Sequence, residues 1–227
     1  MTTDLDEFAA RRNAILDAIA NAARMAARSP ADIALVGVSK KQPDERIDLA
    51  LAAGQRVFGE NRVQEAEARW THRRAAYTDL ELRLIGPLQT NKAEQAVALF
   101  DVIETLDRLK LARELRKAMD KLGRTPRLYV QVNTGEEDQK AGIAPGELGE
   151  FLQLVRTEYG FVIEGLMCIP PVEEPAGPHF AMLADLAAAN DVKKLSMGMS
   201  ADFETAVKFG ATSVRVGSAL FGERPSA

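Results

Sequence analysis

Short apolar runs alternate with amphipathic, helix-length segments along this chain, and that alternation narrows the available folds more than any other feature. The runs fall at residues 33–38, 56–59, 82–85, 101–104, 127–133, 161–167, 194–196 and 213–216. Helical spacing of apolar residues fills 43–53, 61–76, 90–99, 107–122, 146–158, 177–190 and 201–209. Strands that alternate with helices pair in parallel through right-handed crossovers. Eight such units favour a closed (β/α)8 TIM barrel over an open doubly wound sheet, and one barrel takes roughly 200–250 residues. The chain has 227. Pro43 opens a helix and Gly54 follows it, with Gly123 and Gly210 after two others, the asymmetry expected of helix ends. The shortest runs, 56–59 and 194–196, carry the weakest strand signal.

Ahead of the first strand, residues 4–28 read as an extra N-terminal helix, with Phe8, Ile15, Ile19 and Met25 near helical spacing and Ser29-Pro30 as its stop. No linker-like stretch divides the chain, and the proline-rich 170–178 reads as a βα loop, so a single α/β domain is expected over 1–227.

With 33 acidic and 29 basic side chains the net charge is −4, which gives no electrostatic case for nucleic acid or an anionic membrane surface. A phosphate ligand therefore needs a local site. Cys168 is the lone cysteine and His72 and His179 the only histidines, which argues against disulfides and against a metal centre. The N-terminal residues 1–7 are acidic and lack an apolar signal core, and no apolar run approaches the ~18 residues of a membrane span, so a cytoplasmic location is expected.

Barrels of this kind place ligands beyond the C-terminal ends of their strands, with phosphate sites often after strands seven and eight. Strand seven is followed by Ser196-Met197-Gly198-Met199-Ser200, where Ser200 has the position of a helix N-cap and Gly198 permits a turn that a larger residue resists. Strand eight is followed by Gly217-Ser218, which can open one short helical turn. Two adjacent helix starts with hydroxyls and free N–H groups suit a phosphate dianion, although both serines also read as plain caps.

Strand one ends in Val38-Ser39-Lys40-Lys41. A lysine at the inner rim of a barrel is partly desolvated, which favours the free amine that attacks an aldehyde; the alternative is a solvated surface pair. Strand one closes against strand eight, so Lys40 lies beside the phosphate cups. A phosphate cup and an amine within a ligand's length point to pyridoxal 5'-phosphate (PLP). Arg215, between Val214 and Val216, points inward if the valines pack outward. Its partner is either a buried carboxylate or the pyridine nitrogen of PLP, which an arginine would hold unprotonated. Asn61 and Asn91, in 58–61 and 86–92, read as pocket wall or as helix caps. Cys168 and Met199 read as apolar packing.

Several segments carry a resemblance. Val38-Ser39-Lys40, Phe58-Gly59-Glu60-Asn61, Ile85-Gly86-Pro87-Leu88-Gln89-Thr90-Asn91-Lys92, Leu195-Ser196-Met197-Gly198-Met199-Ser200 and Val214-Arg215-Val216-Gly217 with Leu220-Phe221-Gly222 resemble motifs of the YggS/PROSC family. These are PLP-binding proteins similar to the N-terminal barrel of bacterial alanine racemase. The resemblance runs in family order over about 33–224. It implies PLP fold type III, a Schiff base on Lys40, phosphate held by Met199, Ser200, Gly217 and Ser218, Arg215 at the pyridine nitrogen and Asn61 in the wall. It also implies a role in PLP (vitamin B6) homeostasis without catalytic residues. Arg83 departs from the family, which often has histidine there.

Two functions follow. One is a PLP carrier or buffer, with PLP-dependent apoenzymes as recipients. The other is a PLP-dependent amino-acid racemase. Racemisation needs an acid or base on each face of the substrate. Tyr77, Tyr129 and Tyr159 fall away from the strand tops and only about ten residues follow strand eight, which favours the carrier and a monomer.

Overall fold

The computed structural model describes residues 3–223; Met1 and Thr2 of the acidic leader and residues 224–227 lie outside it. Eight parallel strands close a barrel in chain order, with the last paired to the first. They are β1 Ala34–Val38, β2 Val57–Glu60, β3 Glu81–Leu84, β4 Val102–Leu106, β5 Arg127–Val132, β6 Ile163–Cys168, β7 Lys194–Ser196 and β8 Ser213–Val216. The two weakest strand signals both form strands, because their neighbours on either side supply the ladder that four or three residues cannot sustain alone. Strand β4 runs two residues beyond its expected end at Glu104, and every residue in it is buried. Glu104 looks like a strand terminator in the sequence, yet it is fully buried because its partners come from across the barrel.

The helices are α1 Asp4–Met25, α2 Asp44–Ala52, α3 Val63–Ala76, α4 Ala93–Leu99, α5 Leu109–Leu122, α6 Leu148–Tyr159, α7 Ala176–Ala189, α8 Phe203–Lys208 and α9 Ser218–Phe221. Among the described residues the last strand is followed by four helical residues. Helix α1 takes the place of the long eighth helix: it packs against α2, α8 and α9. There the Phe8 and Phe221 rings stand 5.6 Å apart and Arg28 donates to the Val207 carbonyl at 2.7 Å. The leading helix is therefore part of the barrel wall. Met25, expected on its buried stripe, is exposed, because the helix ends there.

Strand alternation divides the side chains. Outward residues such as Phe58, Leu82, Leu84, Val214 and Val216 pack under the helices, Phe58 against Trp70 of α3 at 4.6 Å. Inward positions are more polar and include Arg83, Glu104, Ser196 and Arg215, all buried. Among the described residues no helix is long and apolar enough to cross a membrane, and no three His, Cys, Asp or Glu side chains are grouped to hold a metal ion.

Candidate functional site

A cavity of about 310 Å³ opens at the C-terminal mouth of the barrel. Lys40, Asn61, Met199, Ser200, Arg215, Gly217 and Ser218 all line it. The remaining wall, Val38, Ile85, Ile169 and Ala201, is apolar and was not singled out from the sequence.

Backbone and hydroxyl donors converge at one end. The Ser200 hydroxyl oxygen accepts from the Gly217 N–H at 3.3 Å and the Ala219 N–H at 3.4 Å, and lies 3.4 Å from the Ser218 hydroxyl. Ser200 is therefore not the cap of its own helix. Asp202 precedes α8 instead, and its carboxylate takes the Met199 N–H at 2.6 Å. The cause lies in the turn at Gly198, whose φ is +90° and where a Cβ would lie 2.5 Å from that of Ala206. The chain runs on past that turn, so Ser200 faces the β8 loop before the helix starts. With its N–H committed to Asp202, Met199 contributes its half-exposed side chain to the wall. Gly217 has no close neighbour in the direction of a side chain; a Cβ there would come no nearer than 3.6 Å to Val38. Protein packing does not demand a glycine at this point, whereas close approach of a ligand to the backbone would.

The loop that carries Lys40 is tied down on both sides. The buried Ser39 hydroxyl donates to Glu60 at 2.7 Å, and Glu60 also accepts from Arg69 at 2.8 Å and the Trp70 indole at 2.9 Å. Arg69 in turn donates to the carbonyls of Ser39 and Gln42, each at 2.9 Å. Lys40 is half-buried in the cavity wall, while Lys41 is exposed with φ +57°. Strand alternation does not separate the two lysines, since β1 ends at Val38; the turn does. Sequence reasoning missed Glu60, Arg69 and Trp70, although an acidic residue ending a buried strand is a signal in itself.

Arg215 points inward and is almost fully buried. Its guanidinium donates to the Ser196 hydroxyl and to the Cys168 carbonyl, each at 2.8 Å. No carboxylate among the described residues pairs with it directly; Ser196 donates onward to Glu104 at 2.5 Å. Cys168 thus contributes its carbonyl, and burial pushes its thiol up to about 12, which leaves it a poor nucleophile. Asn61 is a wall residue and not a cap, since Arg62 precedes α3. Its backbone packs so closely on the β3 loop that a Cβ at Gly86 would lie 2.3 Å from the Asn61 carbonyl. Residues 87–89 and Lys92 border an adjoining hollow of about 760 Å³ that shares Asn61 with the cavity, while Asn91 lies in the 3-10 turn Thr90–Lys92. Tyr77 follows α3, Tyr129 lies in β5 and Tyr159 ends α6; none of the three lines the cavity.

Residues 15–225 match the family described as alanine racemase, N-terminal domain. The chain is 37% identical over 219 residues to the pyridoxal phosphate homeostasis protein of Escherichia coli strain K12, covering 92% of this chain and 94% of that protein. It is 40% identical over 216 residues to the protein of the same name from Pseudomonas aeruginosa, covering 91% of each. The solved structure of PipY from Synechococcus elongatus PCC7942 with PLP bound superposes with a TM-score of 0.76 at 40% identity, over 90% of this chain and all of that one. Alanine racemase of Clostridium difficile shares the fold, with a TM-score of 0.69 at 19% identity over 93% of this chain and 56% of that one.

Proposed function

The chain belongs to the family of pyridoxal phosphate homeostasis proteins, and on that premise we propose that it binds PLP and acts as a non-catalytic carrier or buffer of it. The observation that carries this reading is the cavity itself. It sets one amine, a buried guanidinium and a converging cluster of N–H and hydroxyl donors around a single space of about 310 Å³. Those groups match an aldehyde, a ring nitrogen and a phosphate respectively. When bound, PLP supplies an aldehyde that condenses with an amine, and an electron-poor ring. Lys40 would hold the aldehyde carbon. Ser200, Ser218 and the N–H groups of Gly217 and Ala219 would hold the phosphate, with Arg215 at the ring nitrogen and Asn61 and Met199 as walls.

The racemase reading has less support. Among the described residues Lys40 is the one amine, carboxyl, imidazole, thiol or phenol lining the cavity, whereas racemisation needs a proton carrier on each face. The carrier works as one barrel domain over 1–227 and as a monomer in the cytoplasm, with PLP-dependent apoenzymes as recipients. Mixing the loaded protein with such an apoenzyme tests this: activity should return. An apoenzyme that stays inactive while free PLP restores it would refute the carrier role.

The phosphate end is tested separately. Donor distances of 3.3–3.4 Å at Ser200 are long for hydrogen bonds, and an anionic oxygen draws such donors to about 2.7–2.9 Å. Ser200→Ala or Ser218→Ala should each cost about 1–3 kcal/mol of PLP affinity, the range for bonds to a charged group. Pyridoxal, which lacks the phosphate, should bind both variants nearly as it binds the wild type. Equal weakening of both ligands in a titration would remove the serines from the phosphate site.

A further inference from the structure

The lower half of the barrel contains a polar chain that the cofactor reading does not use. Glu104 of β4 is fully buried and each of its oxygens serves a different side. One accepts from Arg83 of β3 at 3.0 Å, the other from the Ser196 hydroxyl of β7 at 2.5 Å. Ser196 has one proton, and the geometry gives it to Glu104; its oxygen in turn accepts from the Arg215 guanidinium at 2.8 Å. Below, Arg83 also donates to Glu81 at 2.6 Å, and Glu81 accepts from Arg127 at 2.5 Å near the barrel floor. Every bond in this chain has a fixed direction, because arginine can only donate and a carboxylate can only accept.

Charge accounting shows what the chain does. Arg215 is buried without a carboxylate of its own among the described residues, so its positive charge is offset through Ser196 by Glu104. Glu104 is shared with a second buried cation, Arg83. Other groups around the chain are Lys40 across the cavity, Cys168 beside Arg215 with Asp202 near that thiol, and Tyr129 near Arg83 and Glu104 with Glu164 and Arg127 near that phenol. Burial pushes the Tyr129 phenol and the Cys168 thiol each up to about 12, so both stay neutral through the working range of pH. Glu104 is left as the carboxylate shared by the two arginines at the barrel centre.

We infer that Arg83, Glu104 and Ser196 are positioning residues that aim Arg215 at the cavity and set how much positive charge it presents there. The inference rests on the PLP reading of the site, and it gives a function to Arg83. A histidine at that position could not donate at once to Glu81 and Glu104 while keeping a permanent charge.

The test uses the PLP-loaded protein and the pH midpoint at which its visible absorbance changes. A cation near a titrating amine lowers that midpoint and an anion raises it, by about one unit or more at close range. Glu104→Gln and Ser196→Ala, which strip the offset from Arg215, should move the midpoint down. Arg83→Met, which leaves Glu104 with one cation fewer, should move it up. The double variant Arg83→Met/Glu104→Gln should return it close to the wild-type value. Loosened packing alone would move every variant in the same direction or none of them. Shifts of one sign, or a midpoint indifferent to all substitutions, would overturn the relay. Ser196→Ala removes no charge and keeps the test usable if the charge variants fold poorly. A wild-type protein with no such band overturns the cofactor reading, and the inference with it.

Discussion

Replacing Lys40 with alanine should abolish the visible band that PLP gains on bonding to the lysine, and the protein's permanent labelling by borohydride, while replacing Lys41 should leave both intact. The difference comes from the loop and not from the chemistry of the two side chains, which is the same. Ser39 is clamped to Glu60, and Arg69 grips the carbonyls of Ser39 and Gln42. Between those two fixed points the chain has a single turn in which to place Lys40 and Lys41. Lys40 enters the cavity wall beside Arg215 and the Ser200–Ser218 cluster, and Lys41 takes the left-handed conformation on the exposed side. Reduction of the loaded protein followed by peptide mapping reads the result directly, with one labelled peptide containing Lys40. A label on Lys41, or absorbance that survives in Lys40→Ala and vanishes in Lys41→Ala, would overturn the assignment. The Lys40 variant should still bind PLP weakly through the phosphate cluster, because those donors do not depend on the amine. That residual binding distinguishes loss of the amine from loss of the fold.

The barrel was legible because its evidence is local and repeated. Each strand and helix announces itself over a few residues, and closure follows from counting them. That Lys40, Arg215, Ser200, Gly217 and Ser218 gather around one cavity was legible for a related reason: their positions fall at the strand tops, where a barrel puts its site. What escaped was long-range or depended on one backbone angle. Glu104 and Ser196 are 92 residues apart and Glu104 and Arg83 are 21 apart. Nothing near any of them in the chain says that they meet inside the barrel, so Glu104 looked like the end of its strand. The positive φ at Gly198 moved Ser200 from its expected place on its own helix to the start of the next one. Helix α1 looked like an appendage because the brevity of α9, which leaves its slot open, shows only once the strands are closed.

The loaded protein should exchange the α-proton of L-alanine with heavy water far more slowly than an enzyme would. Removal of that proton needs a base on one face of the bound substrate, and inversion needs an acid on the other. Among the residues lining the cavity Lys40 is the sole candidate for either task; the wall is otherwise amide, hydroxyl, thioether and hydrocarbon, with Arg215 holding its proton permanently. The arginine acts on the second requirement too. Held by Ser196 and the Cys168 carbonyl, it lines the cavity, and a ring nitrogen within reach of its guanidinium would accept a hydrogen bond and stay unprotonated. A neutral ring withdraws electrons less, and the carbanion left by proton loss is poorly stabilised. A positioned proton carrier contributes about 10²–10⁴-fold, so from a typical turnover of about 10 per second the exchange should fall to about 0.1 per second or below. Arg215→Glu should alter the visible spectrum, since a carboxylate there lets the nitrogen take its proton. Proton NMR of L-alanine in heavy water, followed over hours with the wild type, gives the rate. Exchange at about 1 per second or faster would overturn the non-catalytic reading, and exchange accompanied by inversion to D-alanine would make the protein a racemase-like enzyme.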